Sequence, residues 1–317
     1  MRFGRGPWNF IDFWDILDLK RAPKAGRFVR MIQDGKQQKK VGLALGGGGA
    51  KGFAHIGVIK TLVDAGIPID YIAGTSMGAL VGGYYAATKN IRRLEALAEH
   101  FDAKKLVPSR EVIRDKNGIF FRDATVEKVL EEEFHNIKIE DLQIPFVAVA
   151  TDARNGEEVH ISKGRLVDAI RASASLPVVF STVESGGRLL IDGGLSNPVP
   201  ADVVRELGAE YVIAIDVSSR WINLPEEMTE VVDIYAVIMG AMTVIENQIA
   251  KRVLTGADIV LRPAVARFRW LSFSDAQEIL KAGENETKYH LREIRRGAGY
   301  PKTYRTPIEE FMDFLFG

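Results

Sequence analysis

Tyr71-Ile72-Ala73-Gly74-Thr75-Ser76-Met77-Gly78, followed by Ala79-Leu80-Val81-Gly82-Gly83-Tyr84-Tyr85, reads as a strand, a tight turn and a helix in direct succession. A serine with glycines two positions away on each side meets the needs of a nucleophile elbow. The backbone there bends so sharply that flanking side chains would collide, and the serine is pushed out at the top of a sheet. Ser76 is therefore the candidate nucleophile. The five-residue pattern alone is common, and its place between strand and helix gives it weight.

Upstream, Val41 to Leu45 reads as a short buried strand that ends in Gly46-Gly47-Gly48-Gly49-Ala50-Lys51-Gly52. A helix from Phe53 to Ala65 follows and is stopped by Gly66. Consecutive glycines let main-chain amides approach a ligand oxygen, and amides at a helix start point toward negative charge. Two chemistries suit this loop. Residues 47 to 52 satisfy G-x-G-x-x-G, but a dinucleotide fingerprint needs an acid at the end of the next strand, and Asp70 stands before it. A phosphate loop would carry lysine where Phe53 stands. The alternative is an oxyanion hole for an alkoxide formed when Ser76 attacks an ester.

Further along, Ile91 to Phe101 reads as a helix and residues 102 to 122 as irregular, either capping a pocket or forming a plain surface connection. Asp123 caps a helix from Thr125 to Phe134 whose acidic face is solvated. Ile144 to Ala150 and Glu157 to Ile161 form a hairpin about Asn155-Gly156. A helix from Arg165 to Ala174 runs into an apolar corner at Val178-Val179-Phe180. Leu189-Leu190-Ile191 then ends in Asp192-Gly193-Gly194, which places a carboxylate at the end of an apolar run. A helix begins at Pro200, Tyr211 to Val217 is a strand, and residues 229 to 255 are a long helix. Ile259 to Leu261 is a last strand, and Ser274 caps a helix reaching Arg295. Alternating strands and helices imply a three-layer α/β/α fold with a largely parallel central sheet.

The 317 residues suffice for one large α/β domain with extensions. Forty-two basic residues balance forty-two acidic ones, which gives no reason to expect nucleic acid as partner. The absence of cysteine excludes disulfides, zinc–thiolate sites and a thiol nucleophile. Asp12, Asp15 and Asp18 break the apolar run a signal peptide would need, and Ile234 to Ile245 falls short of the roughly 20 residues that cross a bilayer. The expectation is a cytoplasmic protein, with membrane association as an alternative. Phe10, Phe13, Trp14 and Leu17 share one helical face, with Lys20, Arg21, Lys24, Arg27 and Arg30 after them. Residues 1–40 thus form an amphipathic and basic arm, read either as an interfacial membrane segment or as a piece packed on the body or on a second subunit of a homodimer. Residues 301–317 form an apolar tail.

Taken in order, Gly47-Gly48-Gly49-Ala50-Lys51-Gly52, Gly74-Thr75-Ser76-Met77-Gly78 and Asp192-Gly193-Gly194 resemble the patatin-like phospholipase family, its bacterial soluble branch in particular. His55-Ile56-Gly57-Val58 and Ala172-Ser173 to Pro177 extend the resemblance over residues 41 to 216. It implies a patatin-like catalytic domain over 41–300, a Ser76–Asp192 dyad with Asp192 as base, and an oxyanion hole of amides around Gly47, Gly48 and Gly49. Lys51, Gly74, Gly78, Gly193 and Gly194 would support that site, with no metal and no cofactor. Lys51 stands where the family often has arginine. The implied activity is that of a serine acyl hydrolase on phospholipids or related fatty-acyl esters, through an acyl-enzyme. The alternative is a lipid- or partner-binding protein of low turnover on the same fold. From the residues alone a histidine base would be sought. His55, His100, His135, His160 and His290 stand in no motif that marks one, and His55, inside a helix, reads as structural.

Overall fold

The computed structural model describes residues 38–100, 114–115, 118–119, 130–177, 180–218 and 234–300. The arm up to residue 37, most of 102–122, the first half of the helix read over 125–134, the Val178-Val179 corner, residues 229–233 and the tail 301–317 lie outside the described residues.

The elements run β1 (Val41–Leu45), α1 (Ala54–Asp64), β2 (Tyr71–Thr75), α2 (Met77–Thr88), α3 (Ile91–His100), the short pair β3 (Arg114–Asp115) and β4 (Gly118–Ile119), β5 (Phe146–Asp152), β6 (Glu158–Ile161), α4 (Leu166–Ser173), β7 (Val183–Ser185), β8 (Arg188–Asp192), α5 (Ala201–Glu206), β9 (Tyr211–Ile215), α6 (Ile234–Val253), β10 (Ile259–Leu261) and α7 (Ala276–Ala298). The main sheet has the order β10-β9-β1-β2-β5-β8-β7, with β6 also paired to β5. Strands β10, β9, β1, β2 and β5 are parallel, while β6, β7 and β8 are antiparallel to their neighbours.

Parallel strands covered on both faces must be apolar throughout, and β1 and β9 are buried at every position. The pleat divides them. Leu43 and Leu45 of β1 join Ile56, Ile59 and Leu62 of α1, Leu80 and Val81 of α2, Ile170 of α4 and Ile279 of α7 in one core. Ala44 and Ala73, on the other face, pack with Val203 and Val204 of α5 and Ala250 of α6. The result is three layers: α1, α2, α4 and α7 on one side of the sheet, α5 and α6 on the other.

Most expected elements are present within a residue or two. Strand β7 was not expected; it pairs with β8 about Gly186-Gly187, both at positive φ, as a two-residue hairpin loop requires. Within the stretch read as irregular, β3 and β4 form a short antiparallel bridge. The start of α7 needs a correction. A 3-10 turn over Phe273–Asp275 precedes it, and the residue at its cap position is Asp275, not Ser274. Among the described residues, no helix is long and apolar enough to cross a membrane.

Candidate active site

Ser76 sits at the junction of β2 and α2 with φ 54° and ψ −120°, outside the regions that L-residues occupy without strain. The flanking glycines explain how the bend closes. A Cβ on Gly74 would lie 2.4 Å from the Gly78 carbonyl oxygen, and one on Gly78 would lie 2.0 Å from that of Leu45. A side chain at Gly74 would push the first turn of α2 away from β2, and one at Gly78 would push α2 off the end of β1. The strained turn is tied down on two sides. The Ser76 amide donates to Ser173 Oγ at 2.9 Å, and that hydroxyl donates to the Val149 carbonyl. Thr75 Oγ1 donates to the Asn197 carbonyl at 2.8 Å.

Sheet register brings the acid to the serine. Thr75 pairs with Val149 on β5, and Ala150 pairs with Asp192 on β8, so Ser76 and Asp192 stand at the same level two strands apart. The Asp192 amide donates to Ser175 and its carbonyl accepts from Thr151 Oγ1. Its carboxylate accepts from the Gly194 amide at 2.8 Å and interacts with the Ser76 side chain. Burial pushes this carboxyl up to about 6, while the hydrogen bonds from Ser76 and Gly194 pull the other way. A carboxylate held near neutrality in a dry site is suited to accept and return a proton.

The glycine loop lies beside this pair, with the Gly47 Cα hydrogen side facing Ser76; a Cβ there would be 3.4 Å from that of Ser76. Gly48 and Gly49 have positive φ, and Ala50 donates to the Trp270 carbonyl at 2.8 Å. One expectation is corrected here. The Gly47 amide donates to the Pro198 carbonyl at 3.0 Å and is thereby occupied. Among the described residues, the Gly48 and Gly49 amides have no such acceptor. Lys51 is half-buried, and its amine is lowered by burial, with Glu246 opposing.

The histidines are engaged elsewhere. His55 is fully buried, and its Nε2 faces the Gly46 carbonyl at 2.8 Å. Burial depresses it to about 4, so it is neutral at pH 7 and supports the loop as a donor. His135, His160 and His290 contact Glu131, Glu158 and Glu286 or Glu293, and the side chain of His100 lies outside the described ones. Asp70, at the start of β2, holds Lys40 at 2.9 Å and the Val41 amide at 2.8 Å. It lies a strand's length of about 17 Å from the glycine loop, beyond reach of a ribose bound there.

Two contributors had no sequence signal of their own. Ser173, read only as part of a longer resemblance, is the acceptor for the nucleophile's amide. Glu246 on α6 comes within reach of Gly194, and its carboxyl is raised to about 8 by burial and by Asp192. An apolar wall completes the surroundings: Leu176 and Met242, with Phe180, Leu195 and Trp270 packed on them.

Comparison with known proteins gives the chain a family. The patatin-like phospholipase family matches residues 43–205. Patatin-like phospholipase domain-containing protein 6 of Mus musculus is 34% identical over 222 residues, which is 68% of this chain and 16% of that protein. An uncharacterized NTE family protein of Mycobacterium tuberculosis (strain ATCC 25618 / H37Rv) is 39% identical over 189 residues, 58% of this chain and 51% of that one. The chain thus spans a sixth to a half of these relatives. The crystal structure of VipD from Legionella pneumophila matches 81% of this chain and 67% of its own with a TM-score of 0.54 at 14% identity, a likeness of fold alone. On the match over residues 43–205, more than half of its length, the chain belongs to the patatin-like phospholipase family.

Proposed function

We propose that this protein hydrolyses fatty-acyl esters of phospholipids or related lipids, with Ser76 as nucleophile, Asp192 as general base and the amides of Gly48 and Gly49 as oxyanion donors. The observation that carries this reading is the buried Asp192 carboxyl, raised toward neutrality and engaged with the side chain of a serine on a strained turn. Family membership supports a lipid hydrolase in general terms, and one relative, from Drosophila melanogaster, bears the name neuropathy target esterase sws. The apolar cluster of Leu176, Met242, Phe180, Leu195 and Trp270, with Trp270 against Gly49 of the glycine loop, suits an acyl chain in the site.

In the first half-reaction Ser76 Oγ attacks the ester carbonyl, its proton passes to Asp192, and the carbonyl oxygen becomes an oxyanion facing the free amides. Collapse expels the alcohol, which takes the proton from Asp192 and leaves an acyl-Ser76 ester. Water then gives its proton to Asp192, attacks the acyl carbon and releases the fatty acid, while the proton returns to Ser76. Ester turnover on phospholipid vesicles by the wild type and by Ser76→Ala tests the reading. Loss in the variant is expected, and undiminished turnover would overturn it. Firm vesicle binding without turnover by the wild type would favour a lipid-binding role instead.

A further inference from the structure

Two carboxyl groups meet at Gly194. A Cβ built on that glycine would lie 3.1 Å from Asp192 Oδ1 and 2.7 Å from Glu246 Oε1, so both carboxyls border the same small space at Gly194, and each feels the other's charge. Glu246 reaches this place from α6, on the opposite side of the sheet from α1. Its neighbour Asn247 anchors that turn of helix: Ser218 Oγ, past the end of β9, lies 2.8 Å from Asn247 Oδ1, and Asn247 Nδ2 donates to the Thr243 carbonyl. The charged groups that act on Glu246 are Asp192, from β8, and Lys51, from the glycine loop.

Two carboxylates this close in an enclosed space do not both ionise easily, and the one with better donors keeps the charge. Asp192 receives the Gly194 amide and the Ser76 side chain, whereas Glu246 has the field of Lys51. We propose that Glu246 is a positioning residue acting through Asp192: facing it across Gly194, Glu246 holds the one proton of the pair in the resting enzyme and leaves Asp192 the ionised member. This rests on the reading of Asp192 as the base.

The proton count is simple. At rest the pair carries one proton and one negative charge, with the Lys51 ammonium nearby. When Ser76 attacks, its proton goes to Asp192 as the new C–O bond forms and the carbonyl electron pair moves to oxygen. Both carboxyls are then neutral, and the only new negative charge lies at the Gly48 and Gly49 amides. Asp192 returns its proton to the leaving alcohol, and Glu246 keeps its own. Once Glu246 ionises, near pH 8, a second negative charge opposes the oxyanion and the rate falls.

The test is a pH profile of kcat/KM on a soluble short-chain ester for wild type, Glu246→Gln and Glu246→Ala, joined to carboxyl carbon-13 NMR titration of Glu246 in wild type and Asp192→Asn. The wild type should lose activity through about pH 8, and Glu246→Gln should lose that limb. Glu246→Ala should lose roughly tenfold in rate, most of which the glutamine recovers. The Glu246 titration midpoint should fall by roughly one unit or more when Asp192 becomes Asn. A limb that persists near pH 8 in Glu246→Gln would overturn the proposal. So would a Glu246 midpoint unmoved by Asp192→Asn, a result that requires no turnover. Failure of the hydrolase reading shows separately, as turnover retained by Ser76→Ala.

Discussion

Ser76 and Asp192 stand level in the central sheet with Ala150 between them, because Thr75 pairs with Val149 and Ala150 pairs with Asp192. Strand β8 runs against β5, so the acid enters the row from the opposite direction to the serine. A slip of one residue in either pairing would turn one side chain to the wrong face. Positioning of the pair is therefore a property of the sheet, and its consequences can be measured.

The strain at Ser76 sets activity against stability. Glycine occupies φ 54°, ψ −120° at little cost, whereas serine is held there by its surroundings. Ser76→Gly should raise unfolding free energy by about 1 kcal/mol and abolish ester turnover. Chemical denaturation of the two proteins checks the first half. A glycine variant less stable than the wild type would contradict the reading of strain.

The acid side of the pH profile follows from Asp192. Its carboxyl is raised to about 6, and a general base must be ionised, so kcat/KM should fall as pH drops through about 6. Asp192→Asn removes the base and should lower kcat by roughly 10³-fold at pH 7. The limb and the loss are read in one stopped-time assay across pH 5 to 8, a window of roughly one unit or more around the expected midpoint.

Ser173 aims the elbow without touching substrate. Ser173→Ala takes away the acceptor of the Ser76 amide and the donor to the Val149 carbonyl. Leaving such groups unpaired costs about 1–3 kcal/mol. A kcat reduced roughly tenfold with KM little changed is expected, because the substrate surface stays intact.

His55 gives stability an acid dependence of known sign. Its folded value, about 4, lies below the ordinary 6.5, so the unfolded chain binds its proton more readily. The stability contributed by neutral His55 is present above pH 6.5 and is lost as pH falls toward 4, to the extent of about 3 kcal/mol at most. Urea unfolding at several pH values should show this slope in wild type and a weaker one in His55→Gln, where glutamine offers Gly46 a donor that does not titrate.

Features set by local backbone demands were legible in the sequence: the glycines of the elbow, the glycine loop before α1 and the acid at the end of β8. Features set by what folds against them were not. Ser173 and Glu246 are ordinary residues in their own helices and gain their roles only where α4 and α6 meet the site. The Gly47 amide looked as free as its neighbours until Pro198 came to lie over it. The hairpin of β7 and β8 did carry a signal, since Gly186-Gly187 between short extended stretches is a two-residue turn. Ser274 and Asp275 are both good helix caps, and propensity alone does not choose between adjacent ones.

The most direct test of the account is intact-mass and peptide mapping after exposure to a fluorophosphonate, which adds covalently to an activated serine. A single adduct on Ser76 is expected, absent in Ser76→Ala and formed roughly 10²-fold more slowly in Asp192→Asn. Modification of a different residue, or equal labelling of Ser76 in Asp192→Asn, would contradict it.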